Sequence, residues 1–427
     1  MRWDVIVVGG GPAGSAAARS CAGEGLKTLL LEKAVHPRFK PCAGGVTVAA
    51  VKVLGGAVVQ RSPSGHSDRI FPIEEPGMPP ELVERVCRGV RLLYDGVERI
   101  VRRDSAVAYT VRREKFDEHL IRLAARSGAV VREGEGVLSV ERDEKGVTVR
   151  TATRSERAPL IIGADGYYSK VRKFAGYGFE KEETLYCVIA DILLPEAEIG
   201  ERFQDCLTVH YGLLDRGYGW IFPKRDRLSA GIGGGAEPRS LPALFRTFIG
   251  LHGLRYDGKV RGCFLPVFRA RHRSVADRVI LAGDAAGFVD AFTGEGIRFA
   301  LASGRFAGAS AAHCHERGDF SRKILERYED LWYADFGEDL MRSVRLTELA
   351  FRRKNFFFGI ALGNRTALVR YVKIMTGELR LRELVTWIRK KMPILFARSV
   401  FLIVKLRMRA KKHTCIGEAT NAIRSHG

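Results

Sequence analysis

Long apolar runs are absent from this 427-residue chain: no window reaches the roughly 18 uninterrupted apolar residues of a membrane span. A signal-peptide pattern is absent too, since Met1-Arg2-Trp3-Asp4 runs straight into VIVVGG. Cysteine is sparse and scattered. The eight cysteines show no CxxC pair and no Cys/His spacing suited to zinc, so neither a metal site nor a cysteine-ligated iron–sulfur cluster is expected. Internal repeats and low-complexity segments are missing as well. These absences predict a reduced, cytoplasmic protein. The 46% hydrophobic and 28% charged residues place it among folded chains, long enough for two or three domains.

Acidic residues are in short supply, and unevenly so. The chain carries 70 Lys and Arg against 49 Asp and Glu, a net charge of +21, and +16 of it lies after residue 340, where 20 basic residues meet only 4 acidic ones. Within that tail, PILFARSVFLIVKLRMRAKKH mixes a dense apolar run with Lys391, Arg398, Lys405, Arg409 and Lys412, which fall on one helical stripe. Such a helix either lies in an anionic membrane surface or packs on the protein with a solvated charged edge. No nucleic-acid-binding module accompanies the charge, so nucleic acid is not an expected partner. The expected location is cytoplasmic, or peripheral on the inner face of the cell membrane.

What is present begins at the N-terminus. DVIVVGG reads as a buried parallel-type strand, GPAGSAAARSCAGEG as a small-residue helix, and LKTLLLEK as a second strand. Gly9, Gly11 and Gly14 fit G-x-G-x-x-G, with Glu32 ending the second strand. Gly9 permits the tight turn, Gly11 lets a pyrophosphate approach the backbone, and Gly14 lets helix pack on strand. Glu32 accepts ribose hydroxyls while the helix N-terminus meets the phosphates. The motif alone does not separate NAD from FAD. A second strand, Val279 to Ala282, runs into Gly283-Asp284, and a turn Gly294-Glu295-Gly296 then opens another small-residue helix. An extended FAD needs an acid at each end, which a second strand-plus-acid supplies. The helix starting near Gly296 would aim its positive end at the flavin pyrimidine edge. Asp284 as a mere helix cap would leave that glycine turn unexplained. APLIIGADGYYSKVRK gives a further strand ending at Asp165, preceded by the amphipathic helix after Arg112-Arg113 and by a hairpin turning near Glu144-Lys145-Gly146.

In the middle of the chain, GYGWIFPKRDR sets Tyr218, Trp220 and Phe222 on one face of a strand that Pro223 ends. The rings pack as core or line a site. With FAD elements on both sides in sequence, the expectation is that Tyr218 and Trp220 form a substrate wall, that Phe222 serves the fold, and that KRDR is a solvated exit.

Taken together, DVIVVGGGPAGSAAA, KPCAGG, VRREKFDEHL, GADG, GYGWIFP and AGDAAGFVDAFTGEGI closely resemble the geranylgeranyl reductase family of flavoproteins, within the wider group built like p-hydroxybenzoate hydroxylase. The similarity runs from about Met1 to Gly308. Its specific signals are KPCAGG, at Lys40 to Gly45, and Tyr-x-Trp-x-Phe-Pro, at Tyr218 to Pro223. The chain departs from the family at Ala291, where proline is common, and at Glu295, where some relatives carry glycine.

The resemblance implies FAD contacts at Ala13, Glu32, Cys42, Ala43, Gly45, Arg113, Val137, Asp284, Gly296 and Ile297, beside the motif residues Gly9, Gly11, Gly14, Asp165 and Gly294. It implies an α/β fold: a Rossmann-like three-layer FAD-binding domain from residues 1–50, 109–175 and 265–320. An inserted antiparallel-sheet substrate domain would come from 51–108 and 176–264, and a basic helical region from 321–427. The implied reaction saturates isolated C=C bonds of a polyprenyl chain on a lipid, a chlorophyll-type precursor or a quinone, by a hydride from flavin N5 and a proton. Tyr218 and Trp220 would hold the alkene, and Cys42 would be an acid or a gate, unless it is only a packed thiol. NADPH or a ferredoxin would supply electrons. Two other readings stay open: a flavin monooxygenase acting on an apolar substrate, and an electron-transfer flavoprotein feeding membrane quinone.

Overall fold

The computed structural model describes residues 3–55, 58–59, 70–71, 78–235 and 237–424. Its first strand, β1 (Val5–Val8), is apolar and buried at every position, as a strand covered on both faces must be. It lies inside a six-stranded sheet between β2 (Thr28–Glu32) and Leu160–Gly163, parallel to both. The full order is Val130–Glu133, β2, β1, Leu160–Gly163, Val279–Leu281 and Val275–Ala276, and only the last pair is antiparallel. Between β1 and β2 runs α1 (Pro12–Gly23), whose small residues let it lie close against α2 (Ile297–Arg317). A three-stranded meander (Ser139–Asp143, Gly146–Arg150, Ser155–Ala158) turns where the sequence predicts and sends Val147, Val149 and Ala158 into the same core. This is the Rossmann-like layered arrangement expected from the glycine motif.

The second large sheet has seven strands. Alternate residues of β3 (Thr184–Leu193), β4 (Gly217–Pro223), β5 (Arg227–Gly234) and β6 (Arg261–Pro266) face opposite sides. The order is β6, β3, β5, β4, Cys206–Tyr211, Gly89–Tyr94 and Val97–Arg102. All neighbours are antiparallel except Cys206–Tyr211 beside Gly89–Tyr94. β6 runs across the expected boundary at residue 264. On the face of this sheet that carries Tyr211 and Tyr218, Phe358 stacks on Tyr94 with ring centroids 4.4 Å apart and lies 4.7 Å from Tyr211, as part of the core that the helical region forms there. His210 turns away and pairs with His252 at 3.1 Å; burial lowers the pKa of both, His252 to about 4, which keeps the pair neutral.

From Arg322 onward the chain is helical, ending in α3 (Leu381–Arg424). α3 is fixed by Leu395, Ser399, Ile403 and Leu406, all buried, and by Asn364, whose Nδ2 donates to Leu395 O at 3.2 Å and to Ser399 Oγ at 2.7 Å. Among the described residues, no helix is long and apolar enough to cross a membrane.

Candidate functional site

One cavity of about 2090 Å³ is lined by residues of both large sheets and of the helical region. Its first end is the turn after β1. Gly9 has φ +102°, and a Cβ there would sit 2.4 Å from Ala164 O; one at Gly14 would sit 1.8 Å from Gly9 O. No larger residue fits either place. A Cβ at Gly11, by contrast, would find only Arg38 Nη2, at 3.7 Å, so this backbone is bare toward the cavity. No side chain caps the N-terminus of α1 that follows. Glu32, at the end of β2, is buried; its Oε2 accepts from Gly10 N at 2.6 Å and its Oε1 from Ala34 N at 2.9 Å.

Beside this turn stands a charged group that the motifs only partly announce. Arg113 Nε and Nη2 donate to the two oxygens of Asp117 at 2.8 and 2.9 Å, and Arg38 Nη2 lies 3.1 Å from the same carboxylate. Burial opposes the Arg113 charge, but Asp117 holds its pKa above the ordinary arginine value. Arg38 and Asp117 were not foreseen; the signal for Asp117 was the four-residue spacing from Arg113. Cys42 Sγ accepts from Gly44 N at 3.4 Å and also meets the Arg113 guanidinium. Ala43 and Gly45 line the cavity nearby, and a Cβ on Gly45 would collide with the Phe222 ring at 2.6 Å. Val137 lines it beside the end of β2, where Glu135 N donates to Glu32 O at 2.9 Å. Asp165 lines the cavity as well, but its carboxylate is occupied as a cap: it accepts from Ser169 Oγ and from Lys170 N at 2.7 Å.

At the far end, Asp284 faces the turn Asp290–Gly296, its Oδ1 3.7 Å from where a Gly296 Cβ would be. That turn is shaped by Asp290 Oδ1, which accepts from Phe292 N at 2.9 Å, Thr293 N at 2.7 Å and Thr293 Oγ1 at 2.9 Å. The Tyr218 hydroxyl adds a hydrogen bond to Thr293 O. Gly294, Gly296 and Ile297 line the cavity where α2 begins, again without a side-chain cap. Glu295 lines it too, fixed by Thr47 Oγ1, which donates to its Oε1 at 2.5 Å. Burial raises the Glu295 pKa, Arg298 and Thr47 oppose that rise, and Asp290 adds to it.

Between these ends, β4 presents its aromatic face. Tyr218, Trp220 and Phe222 all line the cavity, and Phe222 also packs against the neighbouring core. A strand face is continuous, so every second ring meets the same space. Tyr218 has a second task as the brace of the Thr293 turn. The rings have room because β5 alternates glycine beneath them: a Cβ on Gly231 would lie 2.1 Å from the Trp220 ring, and one on Gly233 2.3 Å from Cys187 Sγ. Glycine at every second position of a strand was the available signal for this floor. The expected solvated exit is also only partly so. Lys224 is buried, its Cε within 3.6 Å of a Cβ position on Gly44, while Arg225 and Asp226 are exposed. Leu185, Ile189, Leu207, Val209, Tyr371 and Met375 complete an apolar lining.

The bare backbone at Gly11, the anchored carboxylate of Glu32 and the second open helix start at Ile297 fit an extended dinucleotide with an aromatic ring system at its far end. Residues 2–223 match the FAD binding domain family. The chain is 32% identical to a digeranylgeranylglycerophospholipid reductase of Methanothrix thermoacetophila, over 82% of this chain and 88% of the relative. It is 28% identical to the Methanocaldococcus jannaschii protein of the same name, over 81% and 86%. The fold is shared with a geranylgeranyl bacteriochlorophyll reductase-like protein of Thermoplasma acidophilum, at TM-score 0.71 and 24% identity, covering 94% of this chain and 99% of that one. The chain therefore belongs to the digeranylgeranylglycerophospholipid reductase family of FAD-dependent oxidoreductases.

Proposed function

We propose that this enzyme saturates isolated C=C bonds in the geranylgeranyl chains of a lipid. The observation that carries the reading is one uninterrupted cavity that joins the dinucleotide cradle to an apolar, aromatic-lined compartment. A long hydrocarbon has no polar handle, so shape must select it. Gly9, Gly11, Ala13, Gly14, Glu32 and Val137 would hold the adenosine diphosphate part of FAD, Arg113, Cys42, Ala43 and Gly45 its middle, and Asp284, Gly294, Gly296 and Ile297 the flavin end. Asp165 would support this from behind by fixing the helix it caps. Bound FAD, once reduced, supplies the hydride. The alkene has no carbonyl to polarise, so the protein's share is position, exclusion of water and a placed proton. Tyr218 and Trp220 would press the chain into place, with Tyr218 kept neutral by burial. For the proton we favour the Glu295 carboxyl. Asp165 is occupied by its cap, Asp339 lies against Arg380 at 3.8 Å, and Glu32 and Asp290 are spent on backbone N–H groups, whereas Glu295 is half-buried, lines the cavity and is held by the Thr47 hydroxyl. Electrons would come from NADPH or a ferredoxin, told apart by which one bleaches the FAD absorbance under anaerobic conditions.

The test is mass spectrometry of lipids from a host that makes unsaturated geranylgeranyl lipids. Expression should add two hydrogens per reduced bond; an unchanged lipid profile with flavin-loaded protein present would exclude the reading. Trp220→Ala should keep its FAD while turnover falls about 10²-fold through misplacement of the chain. Loss of flavin, with the remaining holoenzyme fully active, would place the ring on the cofactor instead.

The substrate is a membrane lipid under this reading, and α3 has a surface suited to reach it. Opposite its packed side, Ile394, Phe396, Val400, Phe401, Val404 and Met408 are exposed, Phe401 at 82%. Lys391, Arg398 and Lys405 run exposed along one edge of that strip; the side chains of Arg409 and Lys412 lie outside the described residues. An apolar strip with a cationic border fits an anionic bilayer surface. Phe401→Asp should weaken binding to phosphatidylglycerol vesicles about tenfold or more. Unchanged binding would leave α3 as a packing helix only.

A further inference from the structure

β3 and β6 are antiparallel neighbours, and their register sets Cys187 directly opposite Cys263. Residues so placed have Cα atoms about 4.5–5.5 Å apart and point to the same face, within the 4.4–6.8 Å span of a disulfide. Both cysteines line the cavity, and both are free thiols. The row continues across the sheet: Cys187 pairs with Gly233 on β5, and Gly233 with Tyr218 on β4. Only bare backbone therefore separates the two thiols from the aromatic wall, and Cys187 Sγ lies over that backbone.

The thiols also act on one another. Facing each other across the two strands, they shift one another's titration, Cys263 downward and Cys187, which is also the more deeply buried, upward. Lys40 adds positive charge beside Cys263. Its loop is held against β6 by Arg261, whose guanidinium lies 3.8 Å over the Phe39 ring. A thiol that ionises early, with a second thiol in contact and an open cavity in front, differs from the inert buried cysteine of a core. Nothing in the alkene chemistry above uses either sulfur.

We propose that Cys187 and Cys263 are a reversible dithiol–disulfide pair in the cavity wall, oxidised by a small hydroperoxide that enters the cavity. The Cys263 thiolate attacks one oxygen of hydrogen peroxide. An S–O bond forms, the O–O bond breaks, and the departing hydroxide takes a proton and leaves as water. The Cys187 sulfur, giving up its proton, then attacks the sulfenic sulfur of Cys263. The S–S bond forms, the S–O bond breaks, and a second water leaves. Two thiols lose two electrons and two protons, and one peroxide is reduced to two waters. An external dithiol reverses the change. Closing the bond draws Cys187 Sγ toward β6 and away from Gly233, which widens the space beside Tyr218 and couples oxidation to the compartment proposed for the substrate.

The test treats the reduced, FAD-loaded enzyme with stoichiometric hydrogen peroxide, blocks remaining thiols, and maps peptides by mass spectrometry. The expected result is a linked Cys187–Cys263 peptide, lost on adding dithiothreitol and still formed in Cys42→Ser. In Cys187→Ser the link should vanish and Cys263 should instead be trapped as sulfenic acid by dimedone; Cys263→Ser should yield neither product. Overoxidised Cys263 without a link in the unmodified protein, a link through a different cysteine, or two unreacted thiols would each overturn the proposal. Peptide mapping reads the bond itself, so failure here leaves the polyprenyl reading untouched.

Discussion

Glu295→Gln should lower the rate of alkene reduction about 10²- to 10⁴-fold while FAD stays bound. The amide is nearly the same shape, and its oxygen can still accept from Thr47 Oγ1, so the turn before α2 keeps its form. What disappears is a transferable proton. The sign of the pH dependence follows from the direction of the shift. Burial raises the Glu295 pKa, so the carboxyl stays protonated to higher pH than an exposed glutamate. The acid form is the active one. Turnover should therefore be full below that raised pKa and fall as pH climbs through it, and the variant should lose this alkaline limb. Glu295→Asp, with a shorter reach, should recover part of the rate and keep the limb. A wild-type limb that persists unchanged in Glu295→Gln would mean that another group carries the proton.

Sequence made the cofactor end legible because its demands are local. Gly14 conflicts with the Gly9 carbonyl five residues before it, and the VIVV run declares a covered strand; Gly9 is announced by the same motif, although its own conflict is with Ala164 O far along the chain. The aromatic face of β4 was legible for the same reason, since alternation is a property of neighbours. What escaped the sequence depends on partners far along the chain. Glu295 looked like a deviation in a glycine turn, and its chemical weight comes from Thr47, 248 residues away. That Phe222 meets the cavity as well as core was hidden, because nothing nearby showed that Gly45 would leave space against its ring. Cys187 and Cys263 looked scattered because the pairing of β3 with β6 cannot be read from either strand alone. Lys224 followed a proline in a charged run and read as solvated, yet it folds back beneath the Gly44 turn. In α3 the cationic stripe was plain, but which side is packed required Asn364 and the helices before it.

Asp117→Ala should be the most damaging single change in the cofactor cradle. Asp117 is fully buried, it receives both Arg113 bonds, and it also takes the Arg38 contact. A buried carboxylate shared by two guanidinium groups has offset their desolvation; without it, Arg113 loses its charged partner and Arg38 keeps only the longer contact to Glu32. Removing one partner of a buried pair costs about 3–5 kcal/mol. For a chain of this size that corresponds to a fall in Tm of about 3–6 °C, read by thermal unfolding of the holoenzyme. Arg38 retains Glu32 at 3.8 Å, so the first end of the cradle is only half released, whereas Arg113 loses its whole anchor. FAD retention on gel filtration should fall with it, because Arg113 also meets Cys42 in the KPCAGG turn. Asp117→Asn separates charge from shape: it keeps an acceptor for Arg113 and should lose less stability, yet still bind FAD weakly. If both variants melt with the wild type and keep their flavin, the Arg38–Asp117–Arg113 group is not what holds the cradle.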